Sequence, residues 1–237
     1  MADLFKDGFE SGNTSAWSSE TDDENDLTVT EAAALHGTYG LAALIDNNAS
    51  MFVTDTTPAS ETRYRCRFYI NPNGLTMGNN ESIIILNARK DPTSASFYVE
   101  FKYTTVAGYQ IKVYDRTDDT WAKVSNYYVI SNASHCIEVD WTAATGDGAN
   151  NGTFTLWIDG VEKQTVAAIN NDTEVIDHVC FGCQSGIGAG TSGTMFFDDF
   201  ASNNDGAEIG VISEGTDFTY SGTGSFAYSG TATQSNG

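Results

Sequence analysis

A chain of 237 residues with 40% hydrophobic and 12% aromatic content holds enough apolar material for one large β-sandwich or two small domains, and too much for wholesale disorder. Its formal charge of −21 argues against nucleic acid, whose binders carry basic faces, and disfavours anionic membrane surfaces. Three prolines against 23 glycines suit many short strands joined by turns.

In chain order, Met1-Ala-Asp-Leu-Phe lacks a basic region followed by an apolar run, so the sequence predicts synthesis without a secretory signal peptide. No stretch approaches the ~20 apolar residues of a membrane span. Residues 4–10 read as the first strand, ending at Glu10, and residues 21–26 as a solvated acidic loop. Strands are predicted over 27–33 and 40–45, with His36 and Gly37 turning between them and His36 a turn residue, not a ligand.

Residues 63–70 alternate, with Tyr64, Cys66, Phe68 and Ile70 on one side and Arg63, Arg65, Arg67 and Tyr69 on the other. Ile83 to Leu86 form a continuous apolar run, as a central strand does. Phe97, Val99, Phe101 and Tyr103 face inward on the next strand, leaving Tyr98, Glu100 and Lys102 outward; Gln110, Lys112 and Tyr114 are outward on the strand after it. An aromatic segment covers 121–130. Ile137, Val139 and Trp141 then alternate with Glu138 and Asp140, and Phe154, Leu156 and Ile158 point inward against an outward Trp157. Asp159-Gly160 is a hairpin turn. Runs at 175–181 and 195–201 close the series, Phe200 falling one residue out of step with Met195 and Phe197.

About a dozen short strands and no convincing helix predict an all-β, two-sheet antiparallel jelly-roll sandwich over residues 1–205. Residues 206–237 are a Gly/Ser/Thr/aromatic tail with an eight-residue near-repeat at Phe218 and Phe226, expected to be an extended interaction segment.

Two groups of residues carry chemistry. Asp198 and Asp199 set carboxylates against an apolar run, which is costly without a cation. If the first and last strands are neighbours, Glu10 joins them, and calcium, a hard cation that takes oxygen ligands, is the expected structural ion. The other group follows from charge: nine of the eleven Lys and Arg residues lie between Arg63 and Lys123, beside six acids, a local surplus of +3 in a remainder near −24. If the central strands share a sheet, Arg65, Arg67, Tyr69, Tyr98, Lys102, Lys112, Tyr114 and Trp157 form one outward face of rings and charged donors, suited to a glycan. Ordinary cross-strand pairing explains the same pattern equally well.

Catalytic signals are weak. Glu138-Val-Asp140 resembles the first half of the laminarinase-type glycosidase motif, but Ala143 and Ala144 stand where the acid/base Glu of a retaining enzyme, ~5–5.5 Å from its nucleophile, is needed, and His36, His135 and His178 show no triad or metal spacing. Cys180 and Cys183 have no second pair, so buried free thiols are expected in place of zinc.

Asp7-Gly-Phe-Glu-Ser-Gly with Trp17, His36-Gly-Thr-Tyr-Gly-Leu41, Gly152 to Gly160 and Phe197-Asp-Asp-Phe200 occur in that order. This series resembles the laminin-G-like, concanavalin-type jelly rolls and the calcium-containing carbohydrate-binding modules built on that sandwich. The resemblance implies a calcium site at Glu10, Asp199 and Asp198 with the carbonyl of Gly37, and a sugar-binding sheet face. Two functions stand open. One is a non-enzymatic surface or structural protein of a virion or other particle, homo-oligomeric or part of a larger assembly through its tail, with adhesion to glycans. The other is a free, secreted carbohydrate-binding module. A polysaccharide lyase or glycosidase is the remaining alternative.

Overall fold

The structure, a computed structural model, describes residues 3–118 and 123–212. Its strands are β1 (Asp3–Asp7), β2 (Ser19–Thr21), β3 (Leu27–Thr30), β4 (Gly40–Ile45), β5 (Met51–Asp55), β6 (Arg63–Asn71), β7 (Ser82–Arg89) and β8 (Ala95–Thr104). They continue as β9 (Gly108–Asp115), β10 (Lys123–Val124), β11 (Tyr128–Val129), β12 (His135–Thr142), β13 (Gly152–Ile158), β14 (Val161–Ile169), β15 (His178–Ser185) and β16 (Gly193–Asn203). Two antiparallel sheets result. Sheet I runs β14-β13-β12-β6-β16-β4-β3, with β1 also beside β16. Sheet II runs β10-β9-β8-β7-β15-β5-β2, with β11 beside β9.

The inward residues of both sheets make one apolar layer. Tyr64, Cys66, Phe68 and Ile70 from β6 meet Phe97, Val99 and Phe101 from β8, and all are fully buried. Removing such rings from water is the main stabilising term of the sandwich. At its far end, Asp115 of β9 crosses the core. Its Oδ1 accepts the indole N–H of Trp141 at 2.9 Å and its Oδ2 the amide of Asn171 at 3.4 Å. One carboxyl thus bridges the two sheets.

Three details differ from the sequence reading. The first strand stops at Asp7, because Asp7 Oδ1 caps the N–H of Phe9, which turns through φ 58° to bury its ring; Glu10 therefore lies on a turn. Beyond Thr30, Glu31–Ala33 form a 3₁₀ turn. The strand expected at 175–181 is displaced to His178–Ser185. The out-of-step Phe200 has a structural cause. Asp198 pairs with Tyr69 but Ala201 with Arg67, and Asp199 adopts φ 48°, so β16 bulges and changes phase between Phe197 and Phe200. The bulge keeps both rings in the core while re-aiming two aspartates.

Trp121 and the aromatic near-repeat lie outside the described residues. Cys66, Cys136, Cys180 and Cys183 are buried free thiols. Cys183 packs in the core, whereas Cys180 contacts Thr54 at 3.8 Å on the opposite side of the strand, so the pair does not converge.

Candidate functional site

The eight residues expected to share one face fall on two. Arg65, Arg67, Tyr69 and Trp157 belong to sheet I; Tyr98, Lys102, Lys112 and Tyr114 belong to sheet II. Alternation assigns a side chain to a side of its own strand and does not say which sheet the strand joins. That is why the single-face expectation fails.

On sheet II, cross-strand register places Cys180, Asn87, Tyr98 and Tyr114 in one row over β15, β7, β8 and β9. Tyr98 and Tyr114 stack at 4.7 Å between centroids, 15° from parallel. The next row pairs Glu100 with Lys112. Tyr127, which the sequence reading did not single out, joins the two rows. Its hydroxyl donates to Glu100 at 2.7 Å, and the Lys112 ammonium lies 4.6 Å from its ring and from that of Tyr114. Lys102 is 4.9 Å from the same ring. Burial pushes the Tyr98 hydroxyl up to about 12, helped by the neighbouring Tyr114 and Glu100, so it stays protonated. Asn87 is 7% exposed; its amide N–H donates to Gln184 at 3.1 Å, and its Oδ1 has no partner. A buried acceptor left unmet costs about 1–3 kcal/mol, so the row is poised to accept a hydroxyl.

Sheet I is covered differently. Residues 206–212, assigned by sequence to the tail, cross its outer face. Glu138 Oε1 accepts Arg65 Nε at 2.6 Å and the N–H of Ile209 at 3.0 Å, and Oε2 accepts the N–H of Gly210 at 3.0 Å. Arg65 also donates to the carbonyl of Gly206 at 3.1 Å, and the N–H of Ile212 reaches the Tyr69 hydroxyl at 2.7 Å. Arg63 holds Asp140 at 2.7 Å, and the Arg65 guanidinium lies 4.5 Å from the Trp157 ring. Arg65, Tyr69 and Glu138 are thereby buried, and Arg67 on the same face is buried too. The Glu138/Asp140 pair is engaged by arginines and backbone N–H groups.

The chain ends do meet. β1 pairs with β16, Asp7 opposite Phe200, and both Glu10 and Asp199 flank Gly8. The Glu10 carboxylate accepts the N–H groups of Thr38 and Tyr39 at 2.9–3.1 Å, and these bonds hold its pKa below the usual range. A Cβ on Gly37, at φ 66°, would lie 2.3 Å from Glu10 Oε1, so a side chain there is strained and displaces the carboxylate. Asp198 is wholly buried and accepts the N–H groups of Leu35, His36 and Asp199 at 2.7–3.1 Å; burial, with the adjacent Asp199 charge, still pushes it up to about 7. His36, read from sequence as a turn residue, clusters with Asp198 and Asp199, their ligand atoms within 4.8 Å of one another. Its Nδ1 lies 2.7 Å from Asp199 Oδ2, yet the pair lacks hydrogen-bond geometry and both atoms are buried without partners. The Asp199 oxygen beside His36 and the adjacent Asp198 carboxylate are donors of the kind a hard cation takes. Glu10 and Asp198 both already accept backbone N–H groups, and each carboxylate keeps lone pairs for an ion.

These sheets and their connections define a concanavalin-like jelly roll. No family model matches the chain, and no curated protein does. Among solved structures it is similar to the cellulose-induced protein Cip1, at 17% identity and TM-score 0.61, covering 88% of this chain and 100% of that one. It is also similar to the globular domain of T. cruzi calreticulin, at 11% and 0.57, covering 86% and 89%. A third is the alginate lyase Aly36B, at 15% and 0.50, covering 84% and 90%. At these identities the likeness establishes the fold.

Proposed function

We propose that the protein is a non-enzymatic, glycan-binding jelly roll whose sugar site is the outer face of sheet II. One observation carries the reading: the continuous row of Asn87, Tyr98 and Tyr114, with Lys112 and Glu100 alongside, combines ring faces with polar groups and contains a buried unmet acceptor. Sugars stack their apolar C–H faces on rings and direct hydroxyls to such groups. The setting we propose is the surface of a virion or other particle, with attachment and homo-oligomerisation through the tail; the support is the composition of residues 206–237.

The test is a glycan array followed by titration of the best ligand. Lys112→Ala and Tyr114→Ala each weaken binding about tenfold, equivalent to about 1.4 kcal/mol, while Trp157→Ala, on the other sheet, leaves it unchanged. A Trp157 variant that alone loses binding would move the site to sheet I. Release of unsaturated ends from a polyuronate would replace the non-enzymatic reading with a lyase on the same face.

We also assign calcium to the chain-end corner, held by Glu10, Asp199 and the Gly37 carbonyl, with a structural role. An ion that binds only the folded state stabilises it by about 3 kcal/mol at a hundredfold excess over its Kd. Excess chelator therefore lowers the melting temperature by several degrees, and added calcium restores it. A melting curve indifferent to both would remove the ion.

A further inference from the structure

We propose that Arg67 anchors a binding site for a small oxyanion on the outer face of sheet I, separate from the sugar face. Cross-strand register sets Lys6 of β1, Ala201 of β16, Arg67 of β6 and Glu138 of β12 in one row. Ala201, the smallest of the four and 8% exposed, separates the two cations in the row. Arg67 is 8% exposed, and neither its Nε nor its Nη1 has a hydrogen-bond partner. The contrast with Arg65, one outward position along the same strand, is sharp. Arg65 is equally buried but is matched by Glu138, Asp140 and the Gly206 carbonyl. Glu138, the obvious counter-ion of Arg67, spends its oxygens on Arg65, Ile209 and Gly210.

A guanidinium cannot escape the cost of burial by deprotonating, so an unmatched buried one calls for an acceptor. The Tyr69 ring, 5.3 Å from its Cζ, supplies only weak compensation. Lys6 stands at the rim, 72% exposed and, among the described residues, paired to Asp3 at 2.9 Å. In a protein carrying −21, two cations beside a small residue suit a carboxylate or a sulfate, which guanidinium donors bind in charge-assisted hydrogen bonds.

Melting curves in sodium sulfate and in sodium acetate, each matched in ionic strength by chloride, test the site. The parent gains thermal stability over chloride in at least one of them. Arg67→Met loses that increment, and in chloride alone it melts no lower than the parent, because it no longer buries an unmatched charge. General salting-out raises both proteins alike, so the difference between them is the readout. Lys6→Ala, at an exposed edge position that does not threaten folding, reduces the increment severalfold. A response to sulfate alone identifies a tetrahedral group and a response to acetate alone a carboxylate; either supports the site. A parent that responds no differently from chloride overturns it, as do equal increments in the parent and both variants.

Discussion

Replacing Glu138 with alanine lowers the unfolding free energy by about 3–5 kcal/mol in denaturant titration, the range for breaking one side of a buried ion pair. Glu138 is 3% exposed and Arg65 7% exposed, so the arginine left behind cannot recover its hydration. Two backbone donors, Ile209 and Gly210, lose their acceptors in the same step, which loosens the segment crossing sheet I. Glu138→Gln should cost less, since an amide oxygen still accepts one of these N–H groups. Replacing both partners, as Arg65→Met with Glu138→Leu, should come close to the parent, because well-packed apolar groups often match a buried pair. A loss below about 1 kcal/mol for Glu138→Ala, the value of an exposed pair, would show that this segment does not seal the arginine from water.

The second large effect is a pH dependence centred on Asp115. Burial pushes its carboxyl up from 3.8 to about 7, with the Glu174 charge adding and the Trp141 and Asn171 hydrogen bonds opposing. A carboxyl raised on folding holds its proton more tightly in the native state, so its contribution to stability is greatest below its unfolded pKa. It declines as pH rises from about 4 to about 7 and is then fully lost. The difference between the folded and unfolded values corresponds to about 4 kcal/mol. Asp115→Asn preserves the oxygen that accepts the indole N–H and removes the titration. Parent and variant should have similar stability near pH 4, and the variant should gain on the parent up to neutrality. Asp198 adds a slope of the same sign to both proteins, so their difference isolates Asp115. Parallel stability curves for the two would show that Asp115 stays ionised in the core.

The strand pattern was legible because period-two alternation is a local signal; Tyr64 to Ile70 and Phe97 to Tyr103 display it with few interruptions. Even the irregular spacing of Phe197 and Phe200 was visible, although its meaning as a bulge required the register against β6 to be known. The pairing of the first and last strands could be anticipated from the acidic residues beside them, but not that backbone N–H groups take up the oxygens of Glu10 and Asp198. Sheet membership was not legible. It depends on long-range pairing, so Arg65 and Lys112 look alike in sequence and lie on opposite faces of the sandwich. Residues 206–212 carry no strand pattern, being bound by their backbone N–H groups to one glutamate and one tyrosine. Tyr127 was hidden for a related reason: its segment forms only two-residue strands, too short to reveal a phase.

The same crossing segment sets the polarity of the whole molecule. β1 and Ile212 both belong to the sheet I side, so a support that grips the protein at either point turns the Tyr98–Tyr114 row away from itself. A sensor or array that immobilises the protein through the sheet I side therefore leaves the aromatic row facing the solution.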